Sequence, residues 1–426
     1  MHRLISLALA AALAGGVSIT ASAQNLPALP AAPPAQEPWV PPAPGQPVEK
    51  APPHGKTQTP AFPGQTRGPY HPSNIALNVQ TVADGLEHPW GLAFLPDGRM
   101  LVTEKQGRMR IVSKDGTISP PIAGIPSVDA RQGGALLDVE IDPDFAKTSL
   151  IYWSYAEPRG EGSGTTVARA RLVTAGGGAH IEGIEYIFRM MPTVDSVRSF
   201  GSRMAFGKDG TLYIGTGDRD FDQWRPMVQD PNTDIGKVVR INRDGSIPKD
   251  NPYLGQAGYR PELWAIGFRN VLGVAIDPAT GGLWTNENGP FGGDELNHVR
   301  GGKNYGWPVI SYGMEYSGKP IEEGLTQKAG MEQPVYYWDP VIAPSGMTFY
   351  TGDLFPAWKG SLFIGSLRQK HLVRLELQGD KVVGEERLIT DENERIRDVR
   401  QGPDGALYLL TDADKGRVLR LSPKGP

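Results

Sequence analysis

The chain has no cysteine, which excludes disulfides and a lipid-modified cysteine anchor and leaves the fold to its core and to any metal it binds. Charge is also sparse. Only 21% of residues are charged and the formal net charge is -4, with no basic stripe and no long block of one sign, so the sequence carries no signature of nucleic-acid binding or of a charged interaction tail. Helix-forming runs are scarce, whereas glycine (54) and proline (39) are plentiful, a balance that favours many short strands joined by turns. At 426 residues and 39% hydrophobic, the chain can bury one large core.

The long apolar run at residues 4–19 follows His2 and Arg3 and precedes Ala21-Ser22-Ala23, the pattern of a secretory signal spanning residues 1–23. As a membrane anchor it is short, and Gly15 and Gly16 interrupt it. A periplasmic or secreted protein is expected, with no integral membrane segment after cleavage. Residues 24–72 hold fifteen prolines and no apolar periodicity, and are expected to form a disordered, extended linker.

Beyond residue 73 a hairpin unit recurs six times. Residues 91–103, 136–153, 203–215, 273–285, 346–365 and 399–410 each hold an apolar strand, a turn containing Asp, Gly or Pro, and a second apolar strand. Six such units point to an all-β fold, a six-bladed β-propeller over residues 73–426, with surplus length in loops on one face. A β-sandwich needs fewer copies.

Residues 286–307 concentrate hard oxygen donors on bendable backbone. Asp294, Glu295 and Asn297 offer side-chain oxygens, while Gly289, Pro290, Gly292 and Gly293 let carbonyls turn inward, a set suited to Ca²⁺. A polar connector between two strands is the alternative.

Taken in order, His88-Pro-Trp-Gly-Leu-Ala-Phe94, Gly267-Phe-Arg-Asn270, Glu287-Asn-Gly-Pro290, Gly293-Asp-Glu-Leu-Asn297, Lys303-Asn-Tyr-Gly-Trp-Pro308 and Arg395-Ile-Arg-Asp398 resemble the soluble quinoprotein sugar dehydrogenases, including the aldose sugar dehydrogenases. The resemblance runs over roughly residues 77–422. It implies a six-bladed propeller that binds pyrroloquinoline quinone (PQQ) and Ca²⁺, oxidises the anomeric hydroxyl of a sugar to a lactone, and passes electrons to an unidentified acceptor.

The same resemblance implies roles for individual residues. Arg269 and Asn270 would lie beside the quinone oxygens. Arg368 or Lys370, with Arg395 and Arg397, would face its carboxylates, for which a guanidinium fork is well shaped. Gln132 would contact the cofactor, and Tyr316 and Ser345 would line the same cavity. The carbonyls of Gly289 and Pro290 would hold a catalytic Ca²⁺, and the Glu295 carboxylate with the Tyr305 carbonyl a structural one. Strand alternation alone would equally put Arg395 and Arg397 on a solvated face.

Two positions depart from the family pattern. Family members use a histidine base in His-Phe-Gly-Gly-Arg or His-Phe-Gly-Ser-Arg, but here Ser199 precedes Phe200-Gly-Ser-Arg203. A hydroxyl cannot accept a proton near neutral pH as imidazole does. Asp138 and Asp195 are candidate replacement bases, whereas His180, His298 and His371 read as surface or core residues. Ala135 adds a residue to Gln132-Gly-Gly-Ala-Leu-Leu and shifts the register of Gln132. These departures leave open a non-catalytic propeller that binds the quinone or a sugar, and a Ca²⁺-dependent hydrolase. Sugar selectivity is expected in long loops at residues 157–164 and 317–333.

Overall fold

A computed structural model describes residues 39–425 apart from residues 56, 176 and 177, so the expected signal segment at residues 1–23 lies outside the described residues. Six antiparallel sheets form the six-bladed propeller. Blade one holds Pro89–Phe94, Met100–Glu104 and Arg108–Val112, and blade two begins with Leu136–Ile141 and Leu150–Arg159. Blade three begins with Gly201–Phe206 and Leu212–Thr216, and blade four contains Val271–Ile276, Leu283–Glu287, Asp294–Val299 and Tyr336–Trp338. Blade five runs from Pro344–Phe349 and Leu362–Ser366 to Lys381–Leu388, and blade six holds Ile396–Gln401, Leu407–Thr411 and Gly416–Pro423.

The first two strands of every blade are the hairpin units legible in the sequence. The ring closes because Leu77–Leu86, from the start of the propeller, pairs antiparallel with Gly416–Pro423, from its end. Hydrophobic burial follows the same order. One cluster packs between blades one and two around Trp153, one between blades four and five around Trp284 and Trp338, and one between blades five and six around Trp358. Each strand interior therefore faces a neighbouring blade, which is why these runs are apolar on both faces.

Residues 39–72 correct the expectation of a disordered linker. They pack as a strap along blades four and five, covering the outer strand Tyr336–Trp338 and the outer strand Lys381–Leu388. The Tyr337 N–H donates to Gln65 O at 2.8 Å, the Gly68 N–H to the Tyr336 hydroxyl at 2.6 Å, and the Glu385 N–H to Pro69 O at 2.9 Å. Val48 and Gln65 are buried. The strap thus occupies sheet edges that would otherwise stand unpaired. Its order comes from single anchors and carbonyls rather than from an apolar stripe, so no periodicity announced it.

Gln65 is the strongest of these anchors. Its amide donates to Pro334 O at 2.9 Å and accepts from the Ala61 N–H at 2.7 Å. Gln65→Ala is expected to cost about 1–3 kcal/mol by orphaning those groups. Faster proteolytic cleavage within residues 50–67, with the propeller left intact, is the measurement that checks it. Among the described residues, no helix is long and apolar enough to cross a membrane.

Candidate active site

Propeller geometry brings one end of each inner hairpin to a common face around the axis. The residue before a first strand and the residue after a second strand meet there. A cavity of about 330 Å³ opens at that face, and Gln132, Ser199, Asn270, Arg395 and Arg397 line it as expected from the sequence. His88, Lys105 and Asp412 line it too, although the sequence reading gave them no role.

Asp412 is the hub of one wall. Its Oδ2 accepts from Arg395 Nη2 at 2.8 Å and Arg397 Nη2 at 2.7 Å, and its Oδ1 lies 2.8 Å from His88 Nδ1. Burial alone would raise its pKa, yet Arg397 and Arg395 hold the carboxyl well below the usual carboxylate range. Lys105 lines the same cavity and has no carboxylate partner among the described residues. The wall therefore carries more positive than negative charge.

Ser199 sits in left-handed backbone at φ 48° on a segment stitched to the Gln132 loop. The Gly133 N–H donates to Val197 O at 2.8 Å, and Arg198 Nε donates to Gln132 Oε1. Asn270 Oδ1 accepts from the Gly201 N–H at 3.0 Å, tying blade three to blade four. Ser202 follows at φ 95° with its buried hydroxyl unpartnered. Ser202→Gly is expected to stabilise the protein by about 1 kcal/mol by relieving both faults, read as a higher denaturant midpoint.

Neither candidate carboxylate base reaches this cavity free. Asp138 is fully buried and bound to Arg203 at 2.7 Å, to Arg400 at 3.0 Å and to the Met204 N–H at 2.8 Å. Asp195 is exposed and absent from the lining. The other histidines stay away: His180 pairs with Glu182 at the surface, His298 stacks on Trp284, and His371 is buried.

Other expected site residues lie beyond the lining. Arg269 is buried, and its Nη1 donates to the Asn288 and Gly289 carbonyls, each at 2.9 Å. The Gly289 carbonyl thus faces a guanidinium in this structure. Ser345 is buried with its hydroxyl donating to Ile396 O at 2.6 Å, a link between blades five and six. Tyr316 is 60% exposed beside Phe291, whereas Arg368 and Lys370 are half-buried outside the cavity. Residues 157–164, expected as a long loop, form a tight hairpin in which Arg159 pairs with Gly162.

The stretch 286–307 is loop broken by strand: Asn286 and Glu287 end Leu283–Glu287, and Asp294–Val299 is the next strand. Glu287 stands opposite Glu295 and Thr285 opposite Asn297 across the hairpin of blade four. Alternation puts all four side chains on one face. Asn297 Nδ2 donates to Glu287 Oε1 at 3.1 Å, but Asn297 Oδ1 and Thr285 Oγ1 are buried without partners. Burial pushes Glu287 up to about 8, and burial followed by the charge of Glu287 pushes Glu295 well above the usual carboxylate range. Two facing carboxylates and two orphaned oxygens fit a hard cation. Tyr305 is tied to the same strand, its hydroxyl donating to His298 O at 2.7 Å. The carbonyl of Pro290 belongs to the short turn between these strands.

The sequence pattern of the Glucose / Sorbosone dehydrogenase family matches residues 86–420. Aldose sugar dehydrogenase YliI of Escherichia coli is 44% identical over 82% of this chain and 93% of its own length. A crystal structure of a glucose dehydrogenase is 49% identical, with a TM-score of 0.78 over 80% of this chain and 99% of that one. The PQQ-bound form of an aldose sugar dehydrogenase from Streptomyces coelicolor is 27% identical, with a TM-score of 0.66 over 82% and 99% of the two chains. By that match, and by the six-bladed fold and cationic cavity it shares a chain with, this protein belongs to the glucose/sorbosone dehydrogenase family.

Proposed function

We propose that this chain is an exported, PQQ- and Ca²⁺-dependent dehydrogenase that oxidises the anomeric hydroxyl of aldoses to lactones. The observation that carries the reading is the cavity wall of Lys105, Arg395 and Arg397 set against one carboxylate, Asp412. Such a surplus of cations suits a planar polycarboxylate. The Streptomyces relative that binds PQQ supports the same choice.

When bound, the quinone supplies the hydride acceptor and Ca²⁺ supplies Lewis acidity. Arg395, Arg397 and Lys105 would hold the carboxylates and Asn270 would serve the quinone oxygens, while Arg269 stays behind the lining on the Asn288 and Gly289 carbonyls. Glu287, Glu295, Asn297 and Thr285 would take a structural Ca²⁺; for the Gly289 carbonyl to join that of Pro290 on a second, it would have to give up its bond from Arg269.

The proton of the sugar hydroxyl needs an acceptor, and Ser199 is not one. His88 is the imidazole that lines the cavity. Asp412 holds its Nδ1, while Nε2 lies 2.8 Å from Asp414, whose side chain is 95% exposed. An exposed pair of that kind contributes only about 0–1 kcal/mol and opens easily. Once Asp414 is released and Nε2 has given its own proton to solvent, Nε2 takes the proton of the sugar hydroxyl while Asp412 steadies the ring through Nδ1.

Loading the purified chain with PQQ and Ca²⁺ and offering aldoses with a dye acceptor tests the reading; neither cofactor uptake nor dye reduction would overturn it. Product formed without any acceptor would favour the hydrolase instead. Ca²⁺ alone is expected to raise thermal stability by about 2.7 kcal/mol at a hundredfold excess over its Kd. Glu295→Gln is expected to abolish that rise, as differential scanning calorimetry would show.

A further inference from the structure

Arg219 is wholly buried just beyond the second strand of blade three, and nothing described so far gives it a part. Its guanidinium carbon stands 3.5 Å from the ring centroid of Phe200, which lines the cavity. Among the described residues no carboxylate pairs with it: Nη2 donates to Ser196 O and, at 3.4 Å, to Ser163 Oγ, while Nε and Nη1 are buried without a partner. Two carboxylates act on it through their charge, but both are bound elsewhere. Asp218 accepts from Trp307 Nε1 at 2.9 Å and from the Asp220 N–H at 2.8 Å, and Asp129 pairs with Arg131 at 2.7 Å. Burial, against the pull of Asp218 and Asp129, lowers the guanidinium to about 9, so it stays charged at neutral pH.

The segment behind which it sits is already held by other groups. Ser163 Oγ donates to Ser196 O at 3.1 Å, Thr165 Oγ1 to Phe200 O at 2.6 Å, Ser196 Oγ to the Arg219 carbonyl at 2.7 Å, and the Arg219 N–H to Ser199 O at 3.3 Å. None of these bonds uses the guanidinium. A buried charge without a counter-ion is costly to fold, and an apolar side chain of similar size would fill the same space at less cost. What only the charge supplies is its field, and the ring that separates it from the cavity screens that field far less than water would.

We infer that Arg219 is a positioning residue for the anionic cofactor, supplying from behind Phe200 a positive field that draws carboxylates into the cavity and holds them there. This rests on the reading of the cavity as a quinone site. Blade three stands across the ring from blade six, so Arg219 acts from the side opposite Arg395 and Arg397, and Lys105 acts from blade one. Asp412 is the carboxylate among the cavity-lining side chains, and those two arginines already share it. The charge of Arg219 is therefore left for a ligand.

The test is equilibrium titration of the full chain, with Ca²⁺ present, using PQQ and its trimethyl ester, which keeps the ring system and lacks the carboxylate charges. Arg219→Met and Arg219→Gln remove the cation, and Arg219→Lys keeps it. Each neutral variant is expected to weaken PQQ about tenfold, as loss of a partly screened Coulomb attraction does, and to leave the ester within about twofold. Arg219→Lys is expected to bind both nearly as the wild type does. Equal losses for PQQ and the ester overturn the inference, because a displaced wall would weaken both. So does PQQ affinity within twofold of wild type in a folded neutral variant, or a tenfold loss in Arg219→Lys. Failure of both neutral variants to fold would make Arg219 structural and overturns it as well. A wild type that binds the ester as tightly as PQQ overturns the inference alone, whereas one that binds neither overturns the underlying reading and the inference with it.

Discussion

His88→Gln is expected to slow aldose oxidation by about 10²- to 10⁴-fold, the usual worth of a general base, and Ser199→His in the same chain is expected to recover most of that loss. The cavity wall offers three basic or acidic side chains besides its arginines: His88, Lys105 and Asp412. Asp412 is spoken for by Arg395, Arg397 and His88, and its carboxyl is held well below the usual range, so it is a poor acceptor. Asp138 is locked between Arg203 and Arg400, and Asp195 lies outside the cavity. His88 also adjoins the two arginines expected to hold cofactor carboxylates, so a purely binding role must be separated from proton transfer. If His88 only helped to hold the quinone, the variant would show a raised quinone Kd and a normal kcat at saturation. If it accepts the proton, kcat falls with quinone affinity nearly unchanged. An unaltered kcat in His88→Gln would sink the assignment, and failure of Ser199→His to restore it would show that position 199 no longer faces the reacting carbon.

The propeller was readable because each blade repeats one hairpin, and that hairpin is the most apolar and most regular part of every blade. The site was readable only where a motif named it. Asn270, Arg395 and Arg397 were found in that way, and the first two share a position: each immediately precedes the first strand of its blade. His88 occupies the equivalent place before Pro89–Phe94, while Lys105 and Asp412 immediately follow second strands. Applying the blade repeat to these hairpin ends would have found all three. Of the buried oxygens of blade four, Glu295 and Asn297 were named from the sequence, but their partners Thr285 and Glu287 were missed for a different reason. Residues 286–307 read as a glycine-rich loop, so the alternation that aligns Thr285 with Glu287 and Glu295 with Asn297 was not applied. The strap was missed because its contacts run to partners some 250 to 340 positions away, as between His54 and Asp339 (285 apart) or Glu49 and Arg387 (338 apart), and no local pattern encodes them.

Arg203→Met is expected to destabilise the propeller by about 3–5 kcal/mol, the usual consequence of removing one partner from a buried ion pair. Arg203 is 1% exposed on the first strand of blade three. Its Nη1 lies 2.7 Å from Asp138 of blade two and 3.1 Å from Asp398 of blade six, both wholly buried. Its other nitrogens donate to Leu272 O of blade four at 3.1 Å, to Trp90 O of blade one at 3.2 Å and to Arg397 O of blade six at 2.9 Å. Blade five contributes a glycine: a Cβ on Gly346 would fall 1.9 Å from Asp398 Oδ1 and 2.9 Å from Arg203 Nη2. One guanidinium on blade three therefore bonds to blades one, two, four and six at the axis, with blade five packed beside it through Gly346, and methionine would leave two carboxylates facing each other with less cation between them. Arg400 also bridges Asp138 and Asp398 but is partly exposed, so water can replace some of its charge. Arg400→Met is accordingly expected to cost less, and the double variant to cost other than the sum because the carboxylates are shared. Denaturant midpoints at constant slope measure these losses. Arg203 also fixes the Arg397 carbonyl and lies 4.1 Å from the Trp90 ring, both part of the cavity wall. Weaker quinone uptake is therefore expected in Arg203→Met even where the protein remains folded; uptake equal to wild type would show that the axial cluster holds the ring together without shaping the site.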